Sequence, residues 1–264
     1  VPDGTGRVDA VSAIADSASS LAVASRTEES VVVLTVDGVL DTANSAALLD
    51  SIVKATRKGP PAVIVDVTAL RVPEESAWST FSGARWQHDG RPEVPLLLVC
   101  GNRSSREALQ RSGVARLLPV YATDKTAMKA VAKLARNKVR RAKAELPAHL
   151  SSLRESRQLV REWFTAWSQP GLIPVALVVV NVFIENVLEH TGSEPLMMIE
   201  CDGQTATIAV SDTSSTPAAR LPSPAKGIDV SGLAIVDALS RDWGSTPTAS
   251  GKTVWAIIGP ENQL

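Results

Sequence analysis

The sequence predicts two domains of different layout, an α/β layer fold followed by an α+β sandwich. Three observations predict it. The first half alternates short apolar runs with helical patterns, a βαβα order. From Glu145 onward two helical patterns come first and the strands follow. The length of 264 residues, at about 150 per domain, is near two domains.

Residues 1–29 form an N-terminal extension, with Val8, Val11, Ile14, Ala18 and Leu21 at spacings of three and four. That stripe suggests a loose helix leaning on the first domain, with disorder as the alternative. Residues 30–123 are the first domain. Val31 to Val36 is a β-branched run closed by Asp37-Gly38, a strand with a turn signal. Asn44 to Lys58 carries Ala47, Leu48, Ile52 and Ala55 at helical spacing and is stopped by Gly59-Pro60-Pro61. Ala62 to Val67 is apolar up to Asp66, as in a central strand buried on both faces. A helix opens near Glu75, a buried strand spans Val94 to Cys100, a short helix spans Ser104 to Arg111, and Leu117 to Tyr121 is a last short strand.

Residues 124–144 are predicted to be a basic helical linker. Met128, Val131, Leu134 and Val139 supply its apolar side, and eight Lys or Arg residues from Lys125 to Lys143 have no acid between them. A charge run of this kind is first a solvated face. A dock for an acidic partner comes second. Nucleic-acid binding comes third, because no aromatic residue interleaves the charges.

Residues 145–264 are the second domain. Leu150, Leu153, Val160, Phe164 and Trp167 mark a long amphipathic helix closed by Gln169-Pro170-Gly171. Pro174 sits in the first turn of a second helix that runs to His190. Met197 to Cys201 and Thr205 to Val210 flank Asp202-Gly203, a hairpin signal. Gly232 to Trp243 is predicted helical and Thr253 to Ile258 is predicted to be the final strand.

Composition narrows the function classes. The net charge of −1 argues against a surface given over to nucleic acid. Cys100 and Cys201 are too few for a disulfide scaffold and lack zinc spacing, and His88, His149 and His190 are scattered. The most apolar stretch, Leu172 to Ile184, is 13 residues long and contains Asn181, short of the roughly 20 that a membrane span needs. Asp9 and Asp16 interrupt any secretory pattern. A cytoplasmic, soluble protein with no membrane partner is the expectation.

Two resemblances carry the functional reading. VIVDVTAL (Val63–Leu70), RVPEESAW (Arg71–Trp78) and the stretch Val94–Tyr121 with its Ser112-Gly113 resemble the STAS domain of anti-sigma-factor antagonists. That family has Asp-Ser-Ser-Gly opening a helix, and its second serine is phosphorylated by a partner kinase. The resemblance places Ser76 there, with Glu74, Glu75 and Ala77 in the flanking positions. Physically, a hydroxyl or a phosphate at a helix N-terminus is favoured by the backbone N–H groups. Ser76 is therefore a phosphoacceptor candidate or an N-terminal cap alone.

The second half resembles the GHKL, Bergerat-type ATP-binding domain of anti-sigma-factor serine kinases, an α/β sandwich. The segments are VVVNVFIENVLEH (Val178–His190), IAVSDTSSTP (Ile208–Pro217), SGLAIVDALSRDWG (Ser231–Gly244) and GKTVWAII (Gly251–Ile258). The resemblance implies that Asn186 binds magnesium, that Asp212 contacts adenine, and that Gly232 belongs to the glycine-rich nucleotide box. Read from the residues alone, Asn186 is a buried polar residue serving neighbouring backbone and Asp212 a turn residue; His190 is structural.

Departures from the pattern matter. Val182 stands where the kinases carry a general-base Glu, and Val230 replaces a glycine of the box. Glu185 lies about 100° round the helix from Asn186 and does not substitute for the base. These departures imply weak or absent binding of ATP and Mg, no catalytic residue, and a regulator of sigma-factor partner switching that acts by protein binding. Its partners would be an anti-sigma-factor kinase, a STAS-domain protein or a sigma factor. The alternative is an active ATP-dependent serine kinase acting on an antagonist STAS domain.

Overall fold

A computed structural model describes residues 8–14, 20–86, 94–134, 139–216, 218, 232–248 and 250–262. The chain divides into two compact units, Val1–Asn137 and Lys138–Leu264. Val230 and His88 lie outside the described residues.

The first unit is built on a seven-stranded sheet of order β1-β2-β3-β4-β6-β7, with β5 paired to β3. In chain order its elements are β1 (Val8–Ile14), β2 (Leu21–Glu28), β3 (Val31–Val39), α1 (Ser45–Thr56), β4 (Val63–Asp66), β5 (Leu70–Arg71), a 3-10 turn Glu75–Trp78, α2 (Ser79–Trp86), β6 (Leu96–Val99), α3 (Arg103–Arg111), α4 (Val114–Leu117), β7 (Val120–Tyr121) and α5 (Asp124–Leu134). β1, β2 and β3 pair antiparallel, while β3, β4, β6 and β7 run parallel. Central β4 is apolar up to Asp66 because both its faces are covered: Val63, Ile64 and Val65 are all fully buried. On one face Ala127 and Val131 of α5 pack on Val31, Val33, Ile64, Leu97 and Val99. α1 buries Leu48, Leu49 and Ile52, and α2 buries Phe81, Ala84 and Trp86.

Three expectations are corrected here. The described part of 1–29 is a β-hairpin, not a loose helix. Leu21 and Val23 are buried and Ala22 between them is exposed, a period of two. The three-and-four spacing rested mostly on alanines and valines, and the open edge of β3 supplied ladder hydrogen bonds that an isolated weak helix cannot match. Asp37-Gly38 does not end its strand. β3 runs on to Val39, and Gly38 (φ 113°) bends it where Ser20 O accepts from Val39 N–H at 3.2 Å. A methyl group on Gly38 would lie 2.0 Å from that oxygen. The real hairpin turn is Glu29-Ser30, both with positive φ (49° and 70°), as a two-residue turn requires.

The basic helical linker is the third correction. α5 belongs to the first unit's core and keeps Lys125, Lys129 and Lys133 exposed. Arg140–Glu145 is not helical but an edge strand, β8, of the second unit. The basic residues there alternate with Ala142 and Ala144, and Ala144 turns toward the core. Charge on an edge strand also discourages further strand pairing.

The second unit has a five-stranded sheet of order β11-β12-β10-β9-β8, entirely antiparallel. Its remaining elements are α6 (Ser151–Ala166), α7 (Ile173–His190), β9 (Leu196–Cys201), β10 (Ala206–Asp212), α8 (Gly232–Leu239), β11 (Asp242–Thr248) and β12 (Gly251–Ile258). Its core joins Val160 and Phe164 of α6, the apolar side of α7, and Met197, Ile199, Ile208, Val210, Val254 and Ala256 of the sheet. Leu150 precedes α6 and is 72% exposed; the inward stripe begins instead at Ser152 and Ser156. Trp243 leaves the predicted helix for β11, because Arg241 N–H already donates to Ile257 O and opens the β11–β12 ladder. Pro247 is tolerated there because β11 is an edge strand.

By length and composition Pro170–His190 can cross a membrane, with mean hydropathy 2.1 over its apolar window. This exceeds the 13-residue count made on sequence. Half of that window is buried within the protein, and Val175, Val179, Phe183 and Val187 are core residues. The helix is the spine of the second unit's core.

Candidate functional site

In the first unit the chemistry gathers beyond the carboxyl ends of the parallel strands. There Asp66 Oδ1 accepts from Thr68 N–H at 2.9 Å, and Thr68 Oγ1 accepts from Gly101 N–H at 2.9 Å. Arg106 Nη1 donates to Cys100 O and Gly101 O at 2.7 and 2.9 Å. Asn102 caps α3 by accepting from Ser104 N–H at 3.0 Å. These bonds make a fixed platform from the ends of β4 and β6. Burial pushes the Cys100 thiol pKa up, which keeps it protonated and inert.

The Ser76 turn stands at the same end, because β5 continues the line of β4 and pairs in parallel with the last residues of β3: Gly38 faces Leu70 and Val39 faces Arg71. Ala77 and Trp78 are buried, and Trp78 stacks obliquely on Phe81 at 5.8 Å. Ser76 itself is exposed. Its carbonyl accepts from Ser79 Oγ at 2.6 Å. The N-cap position belongs to Glu74, with no side-chain cap bond, so Ser76 is not the cap of this turn. Glu75 is held by Arg111 of α3, whose Nε donates to Oε1 at 3.0 Å and whose second nitrogen also contacts it. Arg111 holds the Glu75 carboxyl below its usual pKa, and Glu75 raises that of Arg111.

In the second unit the candidates lie on α7, β10 and the start of α8. Val182 is buried against Gly232: a methyl group on Gly232 would lie 2.8 Å from Val182 Cγ1. Asn186, one turn further along α7, is half-buried and makes no side-chain hydrogen bond among the described residues. Glu185 points elsewhere. Its Oε1 accepts from Asn181 Nδ2 at 2.6 Å, and Asn181 Oδ1 accepts from Arg157 Nη1 of α6 at 2.6 Å. His190 is exposed in the last helical turn.

Asp212 is not a simple turn residue. Its side chain is 2% exposed and that of Lys252 is 9% exposed. The Lys252 ammonium donates to both carboxylate oxygens, at 3.0 and 2.9 Å, and Ser214 N–H donates to Oδ1 at 2.8 Å. The two residues face each other in the β10–β12 ladder. Among the described residues no group of three or more His, Cys, Asp or Glu side chains is placed to hold a metal ion. A cavity of about 440 Å³ opens elsewhere in this unit, against Gln169, Gly171, Gln204, Arg241 and Glu261, and none of the sequence candidates lines it.

The comparisons with known proteins bear on the first unit. The family model described as "STAS domain" matches residues 22–127. Residues 22–127 are a STAS domain. A solved structure titled as an anti-sigma factor antagonist from Mycobacterium paratuberculosis is similar at 20% identity over 42% of this chain and 94% of that one, with a TM-score of 0.38. No curated protein matches the chain.

The STAS match begins at β2, eight residues before the boundary read from sequence, and ends within α5. The roles of four residues are not legible locally. Arg111 is 36 residues from Glu75, and nothing local links them. Asn181 and Arg157 meet only because α6 and α7 pack together. Lys252 left a faint signal: it shares the strand parity of inward-facing Val254 and Ala256, an unusual place for a lysine.

Proposed function

We propose that this protein regulates sigma-factor partner switching by binding other proteins, as an antagonist-type STAS domain fused to a GHKL kinase-like unit that no longer catalyses. The observation that carries the reading is Ser76: an exposed hydroxyl in a turn anchored by buried Trp78, at the end of a STAS-domain sheet. A partner kinase would transfer the γ-phosphoryl group of ATP to Ser76 Oγ. That adds about −1.5 to −2 charge beside Glu74 and changes the surface a partner meets. The partners fitting this role are an anti-sigma-factor kinase, another STAS-domain protein or a sigma factor.

For the second unit, the arrangement supports binding without catalysis. A Val182 side chain neither accepts nor relays a proton, and it fills the space over Gly232. Phosphoryl transfer needs positioning, magnesium and an orienting base. Asn186 would be the sole protein ligand to Mg of those named, with Glu185 committed to Asn181. The donor set does not fit a magnesium-bound nucleotide, and ATP is held weakly or not at all.

The test is a binding assay with a cognate kinase-like partner. Ser76→Asp weakens the complex while the fold persists, and Ser76→Ala blocks phosphate incorporation by that partner. If both variants bind every such partner as wild type does, the reading fails. Stoichiometric phosphate on Ser76 after incubation of the protein alone with ATP and magnesium, lost in Asn186→Ala, would instead favour the kinase alternative.

A further inference from the structure

We propose that Lys252 is an internal ligand of Asp212, holding closed a position that would otherwise accept the exocyclic amino group of a purine. The inference rests on the kinase-like reading of the second unit, and it names the residue responsible for the poor fit to nucleotide.

A carboxylate as buried as Asp212 must be satisfied by N–H or O–H donors. Among the described residues three donor contacts reach it: two from Lys252 and one from Ser214. Oδ1 thereby has both lone pairs occupied, and Oδ2 has one. The charge is matched as well, since the ammonium is the opposite unit charge within 3.0 Å. Oδ2 keeps one lone pair, but the side chain is only 2% exposed, so a neutral amino group reaches the carboxylate only by moving the Lys252 ammonium aside and breaking a charge-assisted bond, the stronger kind. It would also leave the Lys252 ammonium buried and unpaired, which is costlier still.

Backbone geometry makes Lys252 fit. Gly251 precedes it, and a methyl group there would lie 2.0 Å from Asp212 O, so only glycine lets β12 approach this closely. The approach sets Asp212 opposite Lys252 and Ser211 opposite Thr253, whose hydroxyls bond at 2.6 Å. Lysine also has the reach to place its nitrogen between two oxygens while its stem stays with the apolar side chains. Val182 fills a different place, the space over Gly232 at the start of α8.

The experiment titrates the full chain with ADP by calorimetry, in the absence of magnesium so that Asn186 takes no part. Inosine diphosphate, which lacks the exocyclic amino group, is the control. The wild type gives no saturable binding. Lys252→Met frees the Asp212 acceptor and gives saturable ADP binding at least about tenfold tighter than the weakest binding the titration detects, with the gain absent for inosine diphosphate. Adding Asp212→Asn to Lys252→Met removes the gain. A folded Lys252→Met chain that binds ADP no better than wild type overturns the proposal.

Lys252→Met leaves a buried carboxylate, so a second measurement stands on the wild type. The Lys252 ammonium signal, observed in protein labelled with ¹⁵N-lysine, is slow to exchange and unmoved by ADP. A saturable shift of that signal by ADP also overturns the proposal. Neither readout involves Ser76 or a protein partner, so failure here is distinct from failure of the partner-switching reading.

Discussion

Ser76 and Asp212 are both polar residues placed by the ends of β-strands, and they have opposite fates. Ser76 stays exposed while its neighbours Ala77 and Trp78 are buried. Asp212 is buried and filled by Lys252 and Ser214. The difference separates two uses of a polar side chain. A group that is to be modified or recognised needs a free atom on an anchored frame. A group whose valences are met by its own chain has become part of the fold, and removing it costs stability rather than activity.

That contrast can be broken by mutation, and the largest effect belongs to the buried pair. Asp212→Ala leaves the Lys252 ammonium buried and alone, and is expected to destabilise the second unit by about 3–5 kcal/mol. Urea unfolding followed in that unit measures it; a loss below about 1 kcal/mol would mean the pair is no more than a surface contact. Next comes the packing of Val182 on Gly232. Gly232→Ala forces a methyl group into that contact and is expected to cost about 1–3 kcal/mol. Val182→Ala in the same chain should relieve most of it, and the double-mutant cycle tests the coupling. A Gly232→Ala protein as stable as wild type would show that α8 shifts freely.

Smaller effects are expected in the first unit. Ser76→Ala should change stability by no more than about 0.5 kcal/mol, since the side chain is exposed and caps no helix. A larger loss would show a structural hydroxyl, contrary to its exposure. The smallest effect concerns Glu75 and Arg111, an exposed pair. The Glu75 carboxyl titrates below its usual value because Arg111 holds it, so its contribution is present above the unfolded-state value and is lost as pH falls through the lowered one. Arg111→Gln should return the Glu75 midpoint, followed by carboxyl NMR, to the ordinary range with little change in melting temperature. An unmoved midpoint would show that the contact is not held in solution.

Much of the first unit was legible beforehand. The continuous apolar runs of β4 and β6 named the central strands, and Gly59-Pro60-Pro61 marked the end of α1. In the second unit Asp202-Gly203 located the β9–β10 hairpin and Pro174 the start of α7. The failures share one physical cause. β1, β2 and β8 have weak local preferences and became strands because a neighbouring edge needed a partner. Trp243 left its predicted helix for the same reason. Strand pairing is non-local, so local periodicity cannot decide it.

The candidate site divides along the same line. The sequence by itself determined which side chains exist to act: a serine in an acidic turn, an asparagine with a valine four residues before it, and an aspartate followed by a Thr-Ser-Ser-Thr run. It also determined that Glu185 stands about 100° away from Asn186, since helix geometry alone fixes that angle. Only the tertiary structure decided what each group is free to do. It brought Arg111 to Glu75, Arg157 to Asn181 and Lys252 to Asp212, across 36, 24 and 40 residues of chain. Charge pairing acts through space over a few ångströms, and chain separation does not record that distance until the sheets and helices have packed.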